Sequence, residues 1–152
     1  MELVLALDNV RSLHNVGAIF RSADGAGVSR IVLGGLTPTP PRHEISKTAL
    51  GACESVPWEY CRDLVKCISE LKLRGYTVYA LELTPTAVPI FDVKLNEPAV
   101  LIVGHEREGV QTEILALCDV HLSLPMHGKC VSLNVATATG VAVYEFYRQS
   151  MS

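Results

Sequence analysis

Three short stretches hold residue types that could do chemistry, and each falls where a strand pattern gives way to a helical one. The first, NVRSLHNVGAIFRSADGAGV (9–28), places Asn15, Gly17 and Arg21 at and just after the start of an amphipathic segment. A helix N-terminus with an arginine beside it suits a phosphate, because free backbone N–H groups and a guanidinium both favour anions. The competing reading is plainer: Asn15 as a helix N-cap and Arg21 as a solvated helix residue. The second, LIVGHEREGV (101–110), runs an apolar strand into Gly-x-x-x-x-Gly with Glu106 inside it. That gap resembles a phosphate loop, but Val110 and Gln111 stand where a lysine and a hydroxyl residue would have to follow. Without an ammonium for the phosphates or a hydroxyl for magnesium, nucleoside triphosphate binding is disfavoured. What remains is either a turn that needs glycine for its dihedral angles or a place where a ligand approaches the main chain. The third, LPMHGKCVSLNVATATG (124–140), follows a strand end with a bend at Gly128 and Lys129. Ser132, Leu133 and Asn134 then open a run of small residues. Serine and asparagine are capping residues there, which accounts for the tripeptide if nothing else bears on it.

The elements that position these stretches follow from hydrophobic spacing. ELVLAL (2–7), RIVLGG (30–35), YTVYALEL (76–83), AVLIVG (99–104) and VHLSLP (120–125) read as strands. Most are nearly continuous in apolar residues, as strands covered on both faces are. Between them, Val16, Ile19, Phe20 and Ala23 share one helical face, as do Leu64, Ile68 and Leu71, with Gly75 as a helix stop. The alternation predicts an α/β domain built on a largely parallel sheet. GGLTPTPPRHE (34–44) is the one proline-dense loop and is expected to be exposed and mobile. The last helix, from about Ser132 to Arg148, carries the uncharged run VATATGVAVY (135–144), small or apolar around its circumference. Such a helix needs cover on all sides, and one sheet covers only one.

The 152 residues suffice for one domain with a substantial core. A hydrophobic fraction of 49% with 19% charged residues excludes a disordered chain. No apolar run reaches membrane-spanning length, and MELVLALD lacks the basic region of a signal peptide. Five cysteines, an odd number without C-x-x-C spacing, argue against a zinc site or a disulfide framework. They fit reduced thiols in a cytoplasmic protein. The five scattered histidines, at positions 14, 43, 105, 121 and 127, suggest no metal site. A net charge of −3 gives no general attraction for nucleic acid, so any polyanion site has to be local.

Taken in order, NxGxxxRxA (15–23), VGHEREG (103–109) and LPMHGKCVSLNVATA (124–138) resemble the three motifs of the SpoU/TrmH family of RNA ribose methyltransferases, within the SPOUT superfamily. The resemblance spans nearly the whole chain. It implies a single-domain parallel-sheet α/β knot whose C-terminal segment is threaded into a trefoil, which periodicity would not have suggested. It further implies a homodimer formed around the knot and a catalytic domain over 1–152 without an added RNA-binding domain. The implied cofactor is S-adenosylmethionine. By position, its pocket resembles Leu83 and Thr84 at a strand end, Gly104, and then Leu124, Met126, Ser132 and Leu133. Arg21 with Asn15 resembles the family's catalytic pair, and Glu106 and Asn134 its supporting polar residues.

The implied reaction moves a methyl group from a sulfonium to a ribose 2′-hydroxyl of transfer or ribosomal RNA. That hydroxyl is a poor nucleophile while protonated, so the site must align it and ease removal of its proton. Arg21, charged when free, is placed to bind the adjacent phosphate and stabilise developing alkoxide charge. Arg11, Arg21, Arg42, His43, Lys47, Arg107 and Lys129 are the charges expected to face RNA. Two other readings stand beside this one: an RNA-binding or assembly factor without turnover, and a methyltransferase acting on a base nitrogen.

Overall fold

The computed structural model describes residues 1–152. Its sheet begins with β1 (Leu3–Asp8), a strand with every residue buried, as its unbroken apolar run requires. Alternate side chains of β1 go to opposite faces: Leu3, Leu5 and Leu7 into one core, Val4 and Ala6 into the other. The remaining strands are β2 (Arg30–Gly34), β3 (Trp58–Cys61), β4 (Thr77–Leu81), β5 (Val88–Pro89), β6 (Ala99–Gly104) and β7 (Val120–Ser123). All pair in parallel, in the order β3-β2-β1-β6-β4-β7-β5. The parallel α/β architecture is the one that the alternating pattern predicts. Strands β3 and β5 escape the hydrophobic pattern because they lie at the sheet edges. Glu59 and Tyr60 of β3 face solvent, so an apolar run is not needed there.

Helices cover both faces. On one side α1 (Leu13–Ala26), α2 (His43–Ala49), the short α3 (Ala52–Ser55) and α6 (Val135–Ser150) bury Ile19, Phe20, Ile45, Ala52, Val143 and Phe146 against the odd-numbered residues of β1. On the other, α4 (Leu64–Leu73) and α5 (Thr112–Leu117) bury Leu64, Ile68, Leu71 and Ile114. At Gly17, α1 packs directly against α2. A Cβ there would run into the Thr48 hydroxyl and the Ile45 carbonyl, so a residue with a side chain would push the helices apart. No helix is long and apolar enough to cross a membrane.

Two local expectations change. The N-cap of α1 is Ser12, whose hydroxyl accepts from the Asn15 N–H at 3.1 Å; Asn15 lies inside the first turn. Helix α6 opens at Val135 with Asn134 as its cap, so Ser132 and Leu133 precede it instead of starting it. The proline-rich loop is exposed at Leu36, Pro41, Arg42, His43 and Glu44, as expected, and is anchored at one point. Thr37 is buried, its hydroxyl donating toward Gly34 O at 2.8 Å and accepting from Val10 N–H at 3.1 Å.

The C-terminal half adds two features to this layered plan. Leu122 of β7 pairs with Leu81 on one side and with Val88 on the other, so the link 82–87 passes from one flank of β7 to the other. Helix α6 buries Ala142, Val143 and Phe146 but leaves Val141, Tyr144 and Tyr147 exposed along one stripe.

Candidate active site

The C-terminal ends of β1 and β6, the start of α1 and the start of α6 meet in one chain of hydrogen bonds. Glu106, in the turn after β6, accepts from the backbone N–H groups of Arg11 and Ser12 and from Asn15 Nδ2, each at 3.1 Å. Asn15 Oδ1 in turn accepts from Asn134 Nδ2 at 3.2 Å. Asn134 Oδ1 then caps α6, accepting from Ala136 N–H at 2.9 Å and Thr137 N–H at 3.2 Å. The orientation of both amides is dictated from the two ends. A carboxylate can only accept and backbone N–H groups can only donate, so the donors and acceptors between them have one consistent arrangement. Burial works to raise the Glu106 pKa, but the bonds from Asn15 and the surrounding backbone N–H groups outweigh it and hold the carboxyl below its ordinary value.

Next to this relay is an elongated cleft at the ends of β4, β6 and β7, where ligands bind in open parallel sheets. Its floor is the turn 104–109, closed by a pair of backbone hydrogen bonds between His105 and Gly109. A Cβ on Gly104 would strike the backbone of Gly109 and Val110, and Gly109 itself has φ +71° with the Glu82 carboxylate packed against it. Glu82 also accepts from Val110 N–H at 2.9 Å. Farther along, Asp8 at the end of β1 accepts from Gln111 N–H and Nε2 at 2.7 and 2.6 Å, anchoring the exit of the loop. The walls include Leu81, Leu122, Leu124 and Val135. Leu83, 70% exposed, and Val131, 76% exposed, are two apolar lips of the cleft.

Of the residues expected to contact a cofactor, Leu83, Gly104, Leu124, Met126, Ser132 and Leu133 line this cleft. Thr84 does not. Its hydroxyl turns to His121 Nδ1 at 2.8 Å, and His121 Nε2 lies 2.9 Å from the Leu115 carbonyl. A carbonyl only accepts, so Nε2 carries the proton and Nδ1 accepts from Thr84. Thr84 thus holds the link 82–87 in place from behind.

The four expected catalytic residues divide. Asn15, Glu106 and Asn134 form the relay, whereas Arg21 lies outside it. Arg21 lines a separate cleft between α1, α2 and the first turn of α6, together with Lys47. The expected RNA-facing charges divide too. Arg107 lines the first cleft, Arg42 is paired with Glu44 at 3.8 Å, and Arg11 contributes its backbone N–H to Glu106. Lys129 and His43 are exposed. No group of three or more His, Cys, Asp or Glu side chains could hold a metal ion.

Glu82, Asp8 and Ser12 went unnoticed in the sequence, and Gln111 and His121 were weighed there only against a phosphate loop and a metal site. Two of them had a signal: Asp8 is an acid closing an otherwise apolar strand, and Glu82 is an acid inside the apolar run YALELT.

Comparison with known proteins puts these features in context. The model of the SpoU rRNA Methylase family matches residues 2–144. A 23S rRNA (guanosine-2'-O-)-methyltransferase RlmB from Xanthomonas axonopodis pv. citri is 34% identical over 149 residues, covering 98% of this chain and 59% of that protein. A tRNA (guanosine(18)-2'-O)-methyltransferase from Thermus thermophilus is 36% identical over 153 residues, covering 99% of this chain and 76% of the relative. The crystal structure of an AdoMet-bound rRNA methyltransferase from Sinorhizobium meliloti superposes with a TM-score of 0.91 at 32% identity, over 99% of this chain and 57% of that one. The chain therefore spans about three fifths of the length of several relatives it matches.

Proposed function

The chain belongs to the SpoU rRNA methylase family, and on that basis we propose that it is an S-adenosylmethionine-dependent methyltransferase acting on a ribose 2′-hydroxyl of transfer or ribosomal RNA. The observation that carries the reading is the junction of two unlike features. An apolar-lipped cleft floored by the Gly104–Gly109 turn abuts the polar relay of Glu106, Asn15 and Asn134.

The cleft suits the cofactor by chemistry. Leu83 and Val131 offer apolar surfaces to a planar ring, and the Gly104 floor, with no room for a side chain, leaves backbone groups to be recognised. Leu124, Met126, Ser132 and Leu133 would complete its enclosure. When bound, S-adenosylmethionine supplies a methyl group made electrophilic by its sulfonium. The work of this chain's residues is orientation and charge. Asn134 caps α6 with its carbonyl oxygen, and Asn15 and Glu106 hold it there; together they fix the end of the cleft where the ribose would enter. Arg21 would bind the phosphate beside that ribose and stabilise charge developing on the 2′-oxygen.

A homodimer belongs to the same proposal, supported by the exposed Val141, Tyr144 and Tyr147 stripe. The threaded C-terminal segment does too: the link 82–87 passes around β7, and the chain leaves β7 through 124–134. Five unpaired cysteines support a cytoplasmic setting. Residues 1–152 are the catalytic unit of this reading.

Incubation with methyl-labelled S-adenosylmethionine and bulk transfer or ribosomal RNA tests the proposal. Label in RNA is expected. A chain that binds RNA but transfers no label to either pool would instead be a binding or assembly factor.

A further inference from the structure

The second cleft differs from the first in kind. It is an open hollow of about 460 Å³, and only two of its eight lining residues are hydrophobic. His14 and Arg21 reach it from α1, Lys47 and Thr48 from α2, and Thr137 from the first turn of α6. No acidic residue lines it. In a chain of net charge −3, an arginine and a lysine around one hollow that no acid lines are a local concentration of positive charge.

These cations are also uncommitted. The four ion pairs of the chain join Arg30 to Glu59, Arg42 to Glu44, Lys72 to Asp119 and Arg148 to Glu145; Arg21 and Lys47 are in none of them. Their spacing is fixed by the helices that carry them. Gly17 lets α1 and α2 pack in direct contact, and the Thr48 hydroxyl, next to Lys47, donates to the His14 carbonyl at 3.0 Å. Two free cations on two helices locked together form a preset mount for an anion. The cleft also shares an edge with the relay, because Ala136 and Thr137, which line it, are the residues whose N–H groups Asn134 caps.

We propose that this cleft receives the sugar-phosphate backbone of the RNA next to the methylated nucleotide, and that Lys47 is a positioning residue that holds a phosphate there alongside Arg21. The inference rests on the reading of the chain as an RNA methyltransferase and extends it. RNA would run from the cofactor cleft, across the Asn134 cap, into the hollow between α1 and α2. Of the basic residues outside the motifs, Lys47 is the one in that path without an acidic partner. Arg42, on the same short helix approach, is already engaged by Glu44.

The test is the salt dependence of RNA affinity for the whole protein, measured with unmodified transfer and ribosomal RNA. Each phosphate neutralised by a protein cation contributes about 0.7–0.9 to the slope of log affinity against log salt. Lys47→Gln should lower that slope by about this amount, raise KM for RNA and leave cofactor affinity and melting temperature unchanged. Lys47→Arg should restore the slope, and Lys66→Gln, an exposed lysine on α4, should not change it. A wild-type slope in Lys47→Gln would overturn the role of Lys47 while leaving methyl transfer, and with it the functional reading, intact. A wild-type protein that binds neither RNA at any salt would overturn both.

Discussion

Replacing Glu106 by glutamine keeps the size of the side chain and removes its charge, so it isolates what the carboxylate does for the relay. The native Glu106 accepts three hydrogen bonds, from Arg11 N–H, Ser12 N–H and Asn15 Nδ2. A glutamine has one acceptor oxygen. Turned to serve Ser12 and Asn15, it points its own NH₂ at the Arg11 N–H; turned the other way, it opposes two donors. One bond is lost in the better case, and the others lose their charge assistance. Hydrogen bonds to charged groups are worth about 1.5–3 kcal/mol, and partial exposure of Glu106 puts the cost nearer ~1–2 kcal/mol. If the relay is felt in the transition state, that corresponds to a rate loss of roughly 5- to 30-fold. Asn15, no longer facing an acceptor-only group, could rotate and release Asn134. Single-turnover methyl transfer at saturating cofactor and RNA is the assay, with cofactor titration as its control. The rate should fall in that range while cofactor affinity moves little. The variant should also lose an acid-sensitive part of its stability. Because the native Glu106 pKa is depressed, its contribution is present above the ordinary carboxylate pKa and disappears as pH falls through the lowered value. A Glu106→Gln protein with the wild-type rate and the wild-type acid unfolding profile would refute the relay.

Arg21→Ala should cut methyl transfer about a hundredfold, the scale of losing one charge-stabilising donor. Melting temperature and cofactor binding should hardly change, since Arg21 lies outside both the relay and the cofactor cleft; a wild-type rate would remove Arg21 from the mechanism. Gly104→Val should abolish cofactor binding, because its side chain would occupy the space of the Gly109 and Val110 backbone. Loss of the thermal shift produced by S-adenosylhomocysteine reports it, and a retained shift would contradict the assigned floor. Val141→Glu puts a charge into the exposed stripe of α6, where an unpaired buried charge costs several kcal/mol. Light scattering should show a wild-type dimer and a monomeric variant; a wild-type monomer at micromolar concentration would rule the dimer out.

The strands that bear both cores were legible in the sequence because burial on two faces demands unbroken apolar runs, as in LVLAL and AVLIVG. Edge strands were not, since β3 and β5 each pair on one side only and can expose Glu59, Tyr60 and Val88. Motif positions located the relay, but not its internal order. That Ser12 and not Asn15 caps α1 depends on a one-turn difference that the residue types alone leave open, as both are good caps. Helical spacing places Arg21 beside the buried stripe of α1, yet it cannot tell which elements border that side. Only the packing of α2 and α6 shows that Arg21 faces Lys47 and not the Gly104 turn. Thr84 is a similar case: Glu82 and Leu83 line the cleft, whereas the Thr84 hydroxyl is taken up by His121, a contact across 37 residues that local sequence does not show.

The central claim is transfer of a methyl group to a ribose oxygen, and the most direct measurement is the site of the methyl in the product. RNA incubated with the protein and methyl-labelled S-adenosylmethionine would be digested to nucleosides and fragmented by mass spectrometry. Ribose methylation predicts that the label stays with the ribose fragment and that the adjoining phosphodiester resists alkaline hydrolysis, which needs a free 2′-hydroxyl. Label that remains with the base fragment, in a chain still cleaved by alkali at that nucleotide, would contradict it.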